Sequence, residues 1–325
     1  MGVVAFLSAK GAPGTTTTAL LMAALWPAPV LLVDADPEGG DIALRLRRED
    51  GEAVDRSRGL LSLLPLARRE MQPATLPEHA QILRGGTEAI AGLSGPEQAG
   101  AAGHLWSNLA EAFARTADRD VLLDCGRVAP RSVHLPLLQQ ADVVVCLVRP
   151  TVSSIVHTRE RLAALVPSLV AGDGHRPRMG VVIVAERPGG RDATGAAEVL
   201  ERDLPGVEVF GRLALDADGA SIFEGFEIPR PERTLLVRSG RQLVIDLHAA
   251  LRHEQRGAAP VPLGQPSPAA PSPAVGAAGV DPASEQSVGS GPAKSGGRRA
   301  APRRRPFSRA GREPAVAAEL EAESR

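Results

Sequence analysis

The residues best suited to chemistry lie within the first 41 positions. Ala9-Lys10-Gly11-Ala12-Pro13-Gly14-Thr15-Thr16-Thr17-Thr18 follows an apolar run, Val3 to Leu7, and precedes a helical pattern, Ala19 to Leu25. Strand, glycine-bearing turn and helix together make a place where backbone N–H groups and a helix N-terminus hold phosphate. Gly11 and Gly14 let the backbone bend and approach an anion without a Cβ in the way. Thr16 opens the helix, where its hydroxyl can reach Mg²⁺, and Thr17 can add a phosphate contact. A second apolar run, Val30 to Val33, delivers Asp34 and Asp36, and a third, Val121 to Leu123, delivers Asp124. Carboxylates at the ends of buried parallel strands lie on the edge where such sheets bind ligands, and Asp124 suits outer-shell binding of Mg²⁺. One usual charge is missing. The residue after Gly14, where loops of this kind carry a phosphate-binding lysine, is Thr15.

The elements that must position these residues follow from the pattern. Val3–Leu7, Val30–Val33, Val121–Leu123, Val143–Val148 and Met179–Ala185 are short, β-branched and nearly continuous, as strands of a parallel sheet covered on both faces are. Helical stretches Thr16–Leu25, Leu105–Thr116, Ser153–Val166 and Ala193–Asp203 alternate with them, with Pro27 and Pro167 helping to close two. The alternation predicts a doubly wound, mostly parallel α/β sheet. Between Gly59 and Gly100 the pattern loosens, with a short helix at Leu60–Leu64 and short strands at His79–Leu83 and Ala89–Leu93. Val207–Leu215 reads as further edge strands. Gln242–Arg252 places Leu243, Val244, Leu247 and Leu251 on one face of a domain-closing helix, and Ser153 reads as the cap of the helix after Arg149-Pro150.

Composition narrows the classes. The chain has 325 residues, a formal net charge of −1, no tyrosine and only 2% aromatic residues, so its core must be built from Leu, Val, Ile and Ala. Its two cysteines, Cys125 and Cys146, lie in or beside apolar runs and read as buried thiols rather than a disulfide framework. No basic region precedes the first apolar run and no stretch reaches a membrane span, so a cytoplasmic protein is expected. The histidines have no metal-ligand spacing. The loop lacks Gly-x-Gly-x-x-Gly, which disfavours a dinucleotide oxidoreductase, and no Gly-x-Ser-x-Gly elbow presents a nucleophile.

From about Gly257 Pro, Ala, Gly and Ser dominate without apolar periodicity, and such a segment cannot bury enough surface to offset its ordering entropy. Residues 1–256 are therefore expected to form the folded domain and 257–325 a disordered tail. Within the tail, Arg298 to Arg312 form a basic cluster suited to salt-sensitive contact with DNA or an anionic surface, and Ala315–Glu323 suits a short acidic helix.

At three places the chain resembles the ParA/MinD family of deviant Walker ATPases, whose loop runs Lys-Gly-Gly-x-Gly-Lys-Thr-Thr. Lys10-Gly11-Ala12-Pro13-Gly14-Thr15-Thr16-Thr17 stands in that place. Asp34-Ala35-Asp36-Pro37-Glu38-Gly39-Gly40 is similar to the family's Asp-x-Asp-Pro-Gln-Gly segment, and Val121-Leu122-Leu123-Asp124-Cys125-Gly126 to its Walker B strand. The resemblance implies a P-loop NTPase fold, ATP and Mg²⁺ as ligands, and a homodimer. It implies nucleotide contacts from Gly11, Ala12, Gly14, Thr15, Thr16, Thr17 and Asp34, and a metal site at Thr16 and Asp124. By the same resemblance Asp36 orients the attacking water, and Lys10 reaches across a nucleotide sandwich dimer to the partner's phosphates. Lys10 and Lys294 are the only lysines of an arginine-rich chain. Gly211-Arg212-Leu213-Ala214-Leu215-Asp216 resembles the family's late loop near the base, with a surface turn as the plain alternative. Ala185-Glu186-Arg187 lacks the asparagine with which many relatives read adenine.

Two functions from different classes follow. The first is an ATP-responsive dimeric switch for partitioning or positioning, with weak or slow hydrolysis. The second is a pseudo-ATPase scaffold, of the kind resembling TadZ/CpaE, which localises a pilus, secretion or other cell-surface assembly. Thr15 favours the second; the retained Lys10, Thr16, Asp36 and Asp124 favour the first.

Overall fold

A computed structural model describes residues 1–11, 13–68, 71–172 and 174–257, the side chains of 254–257 apart. Ala12, the expected tail, its arginine cluster and the helix expected at Ala315–Glu323 lie outside the described residues.

Eight strands pair into one sheet: β1 (Val3–Ser8), β2 (Val30–Asp34), β3 (Gln81–Ile82), β4 (Glu88–Ile90), β5 (Asp120–Arg127), β6 (Val143–Val148), β7 (Arg178–Ala185) and β8 (Val207–Ala214). Their spatial order is β3-β4-β2-β5-β1-β6-β7-β8, and every pairing is parallel except β3 with β4. Successive side chains of a strand face opposite ways, and both faces are covered. Val3, Ala5 and Leu7 join one core with Trp106, Phe113, Leu162 and Leu200. Val4 and Phe6 join the other, with Leu20, Leu21 and Met22 of the helix α1 (Thr15–Leu25) and Leu243 and Leu247 of the C-terminal helix Leu235–Gly257. Both cysteines are buried and free.

This is the doubly wound architecture expected, with local departures. The helix after β6 starts at Val152, one residue earlier than read. Thr151, in extended conformation, is its cap and accepts from the Ser154 N–H at 3.4 Å, so Ser153 lies inside the first turn. Only Gln81–Ile82 of His79–Leu83 is strand, because the preceding Leu76–His79 closes as a helical turn with Pro77 in its first positions. Val207–Ala214 is a single strand, whose register with β7 shifts by one residue at Phe210. No described helix is long and apolar enough to cross a membrane.

The C-terminal helix clamps α1 against the sheet. A Cβ on Gly240 would stand 2.6 Å from Leu21 Cδ2, so glycine there sets the approach of the two helices. At the amino ends of the strands, fully buried Asp120 closes the arrangement. Its Oδ1 accepts from Gly2 N–H at 2.9 Å. Its Oδ2 accepts from Trp26 Nε1 at 2.9 Å, just past the end of α1, and from Arg252 Nη2 at 2.7 Å. One carboxylate thus ties the chain start, the far end of α1 and the last helix together. Asp120→Ala would bury three donors without their acceptor, and is expected to cost about 3–5 kcal/mol. Urea denaturation should show it as a lower midpoint at unchanged slope, with Asp120→Asn between. A wild-type midpoint in Asp120→Ala would refute the clamp.

Candidate functional site

The loop between β1 and α1 takes its shape from two glycines. Gly11 and Gly14 have φ of 78° and 93°, the left-handed region that L side chains avoid. Gly14 caps α1 without a side-chain bond, and no acidic residue occupies the first turn. The first helical bond runs from Thr18 N–H to Gly14 O at 2.8 Å, so the N–H groups of Thr15, Thr16 and Thr17 point out of the helix without helical partners. They carry the positive end of an 11-residue helix whose opposite end is fixed by the Asp120 clamp. Thr15 itself is buried, and Thr16 and Thr17 are half-buried.

Against this helix end stand three carboxylates. Parallel pairing of β2 with β5 sets Asp34 opposite Asp124, and Ala35 N–H donates to Asp124 O at 2.8 Å. Both side chains are fully buried. Asp34 Oδ2 accepts from Ile42 N–H at 3.0 Å, and Asp124 Oδ1 from Gly126 N–H at 3.2 Å. Asp34 Oδ1 and Asp124 Oδ2 are buried with no bond of hydrogen-bond geometry. Burial pushes the Asp124 carboxyl up to about 6, with the neighbouring Thr16 side chain pulling the other way and the Asp36 charge adding to the rise. Burial, then the charge of Asp124, holds Asp34 well above the ordinary carboxylate range. Half-buried Asp36 is also raised, first by burial, while its bond from Glu38 N–H at 2.9 Å and the charge of Arg127 lower it.

Glycines make room for this crowding. A Cβ on Gly40 would come within 2.6 Å of Asp34 Oδ2, and one on Gly92 within 2.9 Å of Asp34 Cγ. A Cβ on Gly126 would overlap the Asp36 carboxylate, and Gly126 also needs its φ of 56°. Gly92 and Gly126 are site residues that sequence reasoning missed as such. Gly126 had a signal, its place directly after the Asp124 strand; Gly92 had none.

Beside Gly14, Thr17 and Thr18 opens a cavity of about 130 Å³, lined by Val184, Leu213, Leu215 and Leu236. Asp216 also borders it, but its carboxylate is committed to structure. It accepts from Gly219 and Leu236 N–H, each at 3.1 Å, tying the turn to the C-terminal helix. The late loop is therefore both a capped turn and a wall of this cavity. Asp218 is exposed.

Thr16, Asp34, Asp36 and Asp124 thus converge, together with the first turn of α1. Lys10 does not join them. It is exposed, and its Nζ lies 2.9 Å from His157 Nε2 on the helix Val152–Leu165. His157 Nδ1 in turn lies 3.6 Å from Glu160 Oε2. His157 was not singled out in the sequence, and nothing local links it to a residue 147 positions away.

The donor set fits a nucleotide-bound Mg²⁺. Two unsatisfied buried carboxylate oxygens and a helix-opening threonine are hard oxygen donors beside unpaired amides. Among the described residues no group of three or more His, Cys, Asp or Glu is arranged to hold a metal ion alone.

Comparison with solved structures finds the same α/β fold in particular proteins. A ParA family ATPase from Chlorobium tepidum TLS matches at 16% identity with a TM-score of 0.56, covering 75% of this chain and 98% of that one. An aspartate-to-alanine variant of Cyanothece McdA, solved with ATP, matches at 17% identity and TM-score 0.58, over 78% and 96%. Pyrococcus horikoshii OT3 MinD, solved with Mg-ADP, matches at 15% identity and TM-score 0.53, over 78% and 98%. The chain has the fold of the ParA/MinD ATPases. No protein-family model matches it, nor does any curated protein sequence.

Burial at Asp124 yields a pH-linked expectation. Its folded pKa of about 6 exceeds the ordinary 3.8, so the native state binds the proton more tightly. The stabilisation is full below about 3.8 and lost as pH rises through about 6. Asp124→Asn should therefore be more stable than wild type at pH 8 without nucleotide or metal, by on the order of 2–3 kcal/mol. The gain should shrink towards pH 4. Buried His134, its pKa lowered to about 4 by burial, acts oppositely, losing stability as pH falls below about 6.5. The measured quantity is thus the difference between variant and wild type across a series of urea melts. A difference that ignores pH would contradict the burial argument.

Proposed function

We propose that the chain is an ATP-responsive dimeric switch of the partitioning or positioning type, with weak or slow hydrolysis. The observation that carries this reading is the convergence of Asp34, Asp36 and Asp124 on Thr16 and the unpaired amides of α1. Two of these carboxylates are buried with unsatisfied oxygens. Like charges packed there weaken the fold, so a scaffold with no ligand gains nothing from them. In this reading the N–H groups of the loop and first turn from Gly11 to Thr17, except at Pro13, which has none, hold the phosphates. The Thr16 hydroxyl and Asp124 hold Mg²⁺, which when bound neutralises charge on the phosphates. Asp34 supports the metal side, Asp36 orients the attacking water, and the apolar cavity beside Thr17 receives the base.

Lys10 is proposed to serve the partner subunit. Its exposed ammonium contacts His157 and does not join the carboxylates of its own subunit. There it would neutralise charge during phosphoryl transfer, as an arginine finger does. Thr15 weakens the site, since loss of a charge partner costs about 2–5 kcal/mol. That loss is the specific support for the second reading, a pseudo-ATPase scaffold.

Titrating ATP·Mg²⁺ into the full chain while following thermal stability and dimer mass separates them. The switch predicts a rise in both, absent in Lys10→Ala and strengthened in Thr15→Lys. An unchanged melting temperature and mass at millimolar ATP would reject the switch in favour of the scaffold. The domain 1–256 is proposed to act with the tail as a surface tether: truncation after residue 256 should abolish salt-sensitive retention on DNA. Undiminished retention would discard that role for the Arg298–Arg312 cluster.

A further inference from the structure

We propose that Arg127 supplies the terminal phosphate with the positive charge that the loop lacks at Thr15. The inference rests on the nucleotide-binding reading and assigns one further residue to that site.

Of the three cationic side chains on the loop or beside the carboxylates, two are engaged. Arg45 bridges Asp41 at 2.7 Å and Glu224 at 3.0 Å. Lys10 sits against His157. Arg127 is exposed, and its guanidinium makes no ion pair or hydrogen bond among the described residues. Its position is set by backbone. It ends β5 three residues past Asp124, and its Cα pairs with that of Ser8, the last residue of β1 before the phosphate loop. The following N–H, of Val128, donates to Ser8 O at 3.2 Å. Gly126, immediately before it, turns the strand with a left-handed φ and lies directly under the Asp36 carboxylate. Arg127 therefore emerges between the start of the loop and Asp36. Its charge acts on Asp36, offsetting part of the burial that raises that carboxyl.

A lysine after Gly14 would reach the phosphates from the helix side. Arg127 approaches from the β5 side, where a guanidinium can bind two phosphate oxygens at once. An exposed arginine with no competing partner need break no existing bond to do so. The ligand class is a nucleoside triphosphate rather than a diphosphate, because the Asp36 side of the site is assigned above to the attacked phosphate.

Isothermal titration of the full chain with MgATP and with MgADP tests this. Arg127→Ala should weaken MgATP binding roughly tenfold or more, with a smaller effect on MgADP. Arg127→Lys should recover most of the loss, and Thr15→Lys combined with Arg127→Ala should bind MgATP at least as tightly as wild type. Thermal melting checks each fold, and Arg127→Gln replaces the alanine variant should that lose its transition. Equal affinities for wild type and Arg127→Ala would overturn the assignment alone, as would an equal loss for MgATP and MgADP. Absence of binding in both wild type and Thr15→Lys would overturn the nucleotide reading and this inference with it.

Discussion

Parallel register between β2 and β5 is the constraint from which the site follows. It fixes Asp34 opposite Asp124, both out of water, with Asp36 two residues further along. Two adjacent buried carboxylates repel each other and lose hydration, and the chain answers with few bonds: one backbone N–H to Asp34 Oδ2 and one to Asp124 Oδ1. Only glycine at 40 and 92 leaves space for Asp34, and only glycine at 126 for Asp36. A conflict of this kind costs stability, and proteins keep such conflicts where a ligand or ion resolves them.

The helix that faces the carboxylates is held from its far end. Trp26 follows α1, and its indole N–H is fixed by Asp120, which also holds the N-terminus and Arg252. Leu21 packs against Gly240. The free amides of Thr15, Thr16 and Thr17 are therefore aimed by contacts along and beyond the rest of the helix. The phosphate loop needs only to be permissive, which its two left-handed glycines provide.

Much of this was legible from local pattern. Apolar runs ending in aspartate located Asp34, Asp36 and Asp124, because a buried parallel strand writes itself as a short β-branched stretch. The glycine turn before Thr15 located the loop for the same reason of local chemistry. What escaped were pairings across the chain. Asp120 reads as an ordinary charge before a strand, yet its partners are Gly2, Trp26 and Arg252. Lys10 was identifiable as an isolated lysine, but its partner His157 was not. Gly92 follows a three-residue strand with no signature, and matters only because Asp34 lies over it. The two-residue error in the cap has a smaller cause: Thr151 and Ser153 are both good caps, and extended backbone at Thr151 decides between them.

Charge placement explains why the site and its surroundings cannot be treated separately. Three carboxylates meet a helix terminus that carries only partial positive charge, and the residue that most directly offsets phosphate in such loops is here a buried threonine. A triphosphate would bring further negative charge to the same place. Beyond Mg²⁺ and the helix dipole, compensation must come from cations on other segments. Lys10 lies on the loop, Arg45 follows β2, and Arg127 ends β5. Arg45 also joins Asp41, next to the Asp34–Gly40 segment, to Glu224, beyond the turn that walls the apolar cavity. One guanidinium thus ties the segment after Asp36 to the element behind the cavity. Without a lysine after Gly14, charge compensation at the carboxylates depends on how these separate segments are arranged.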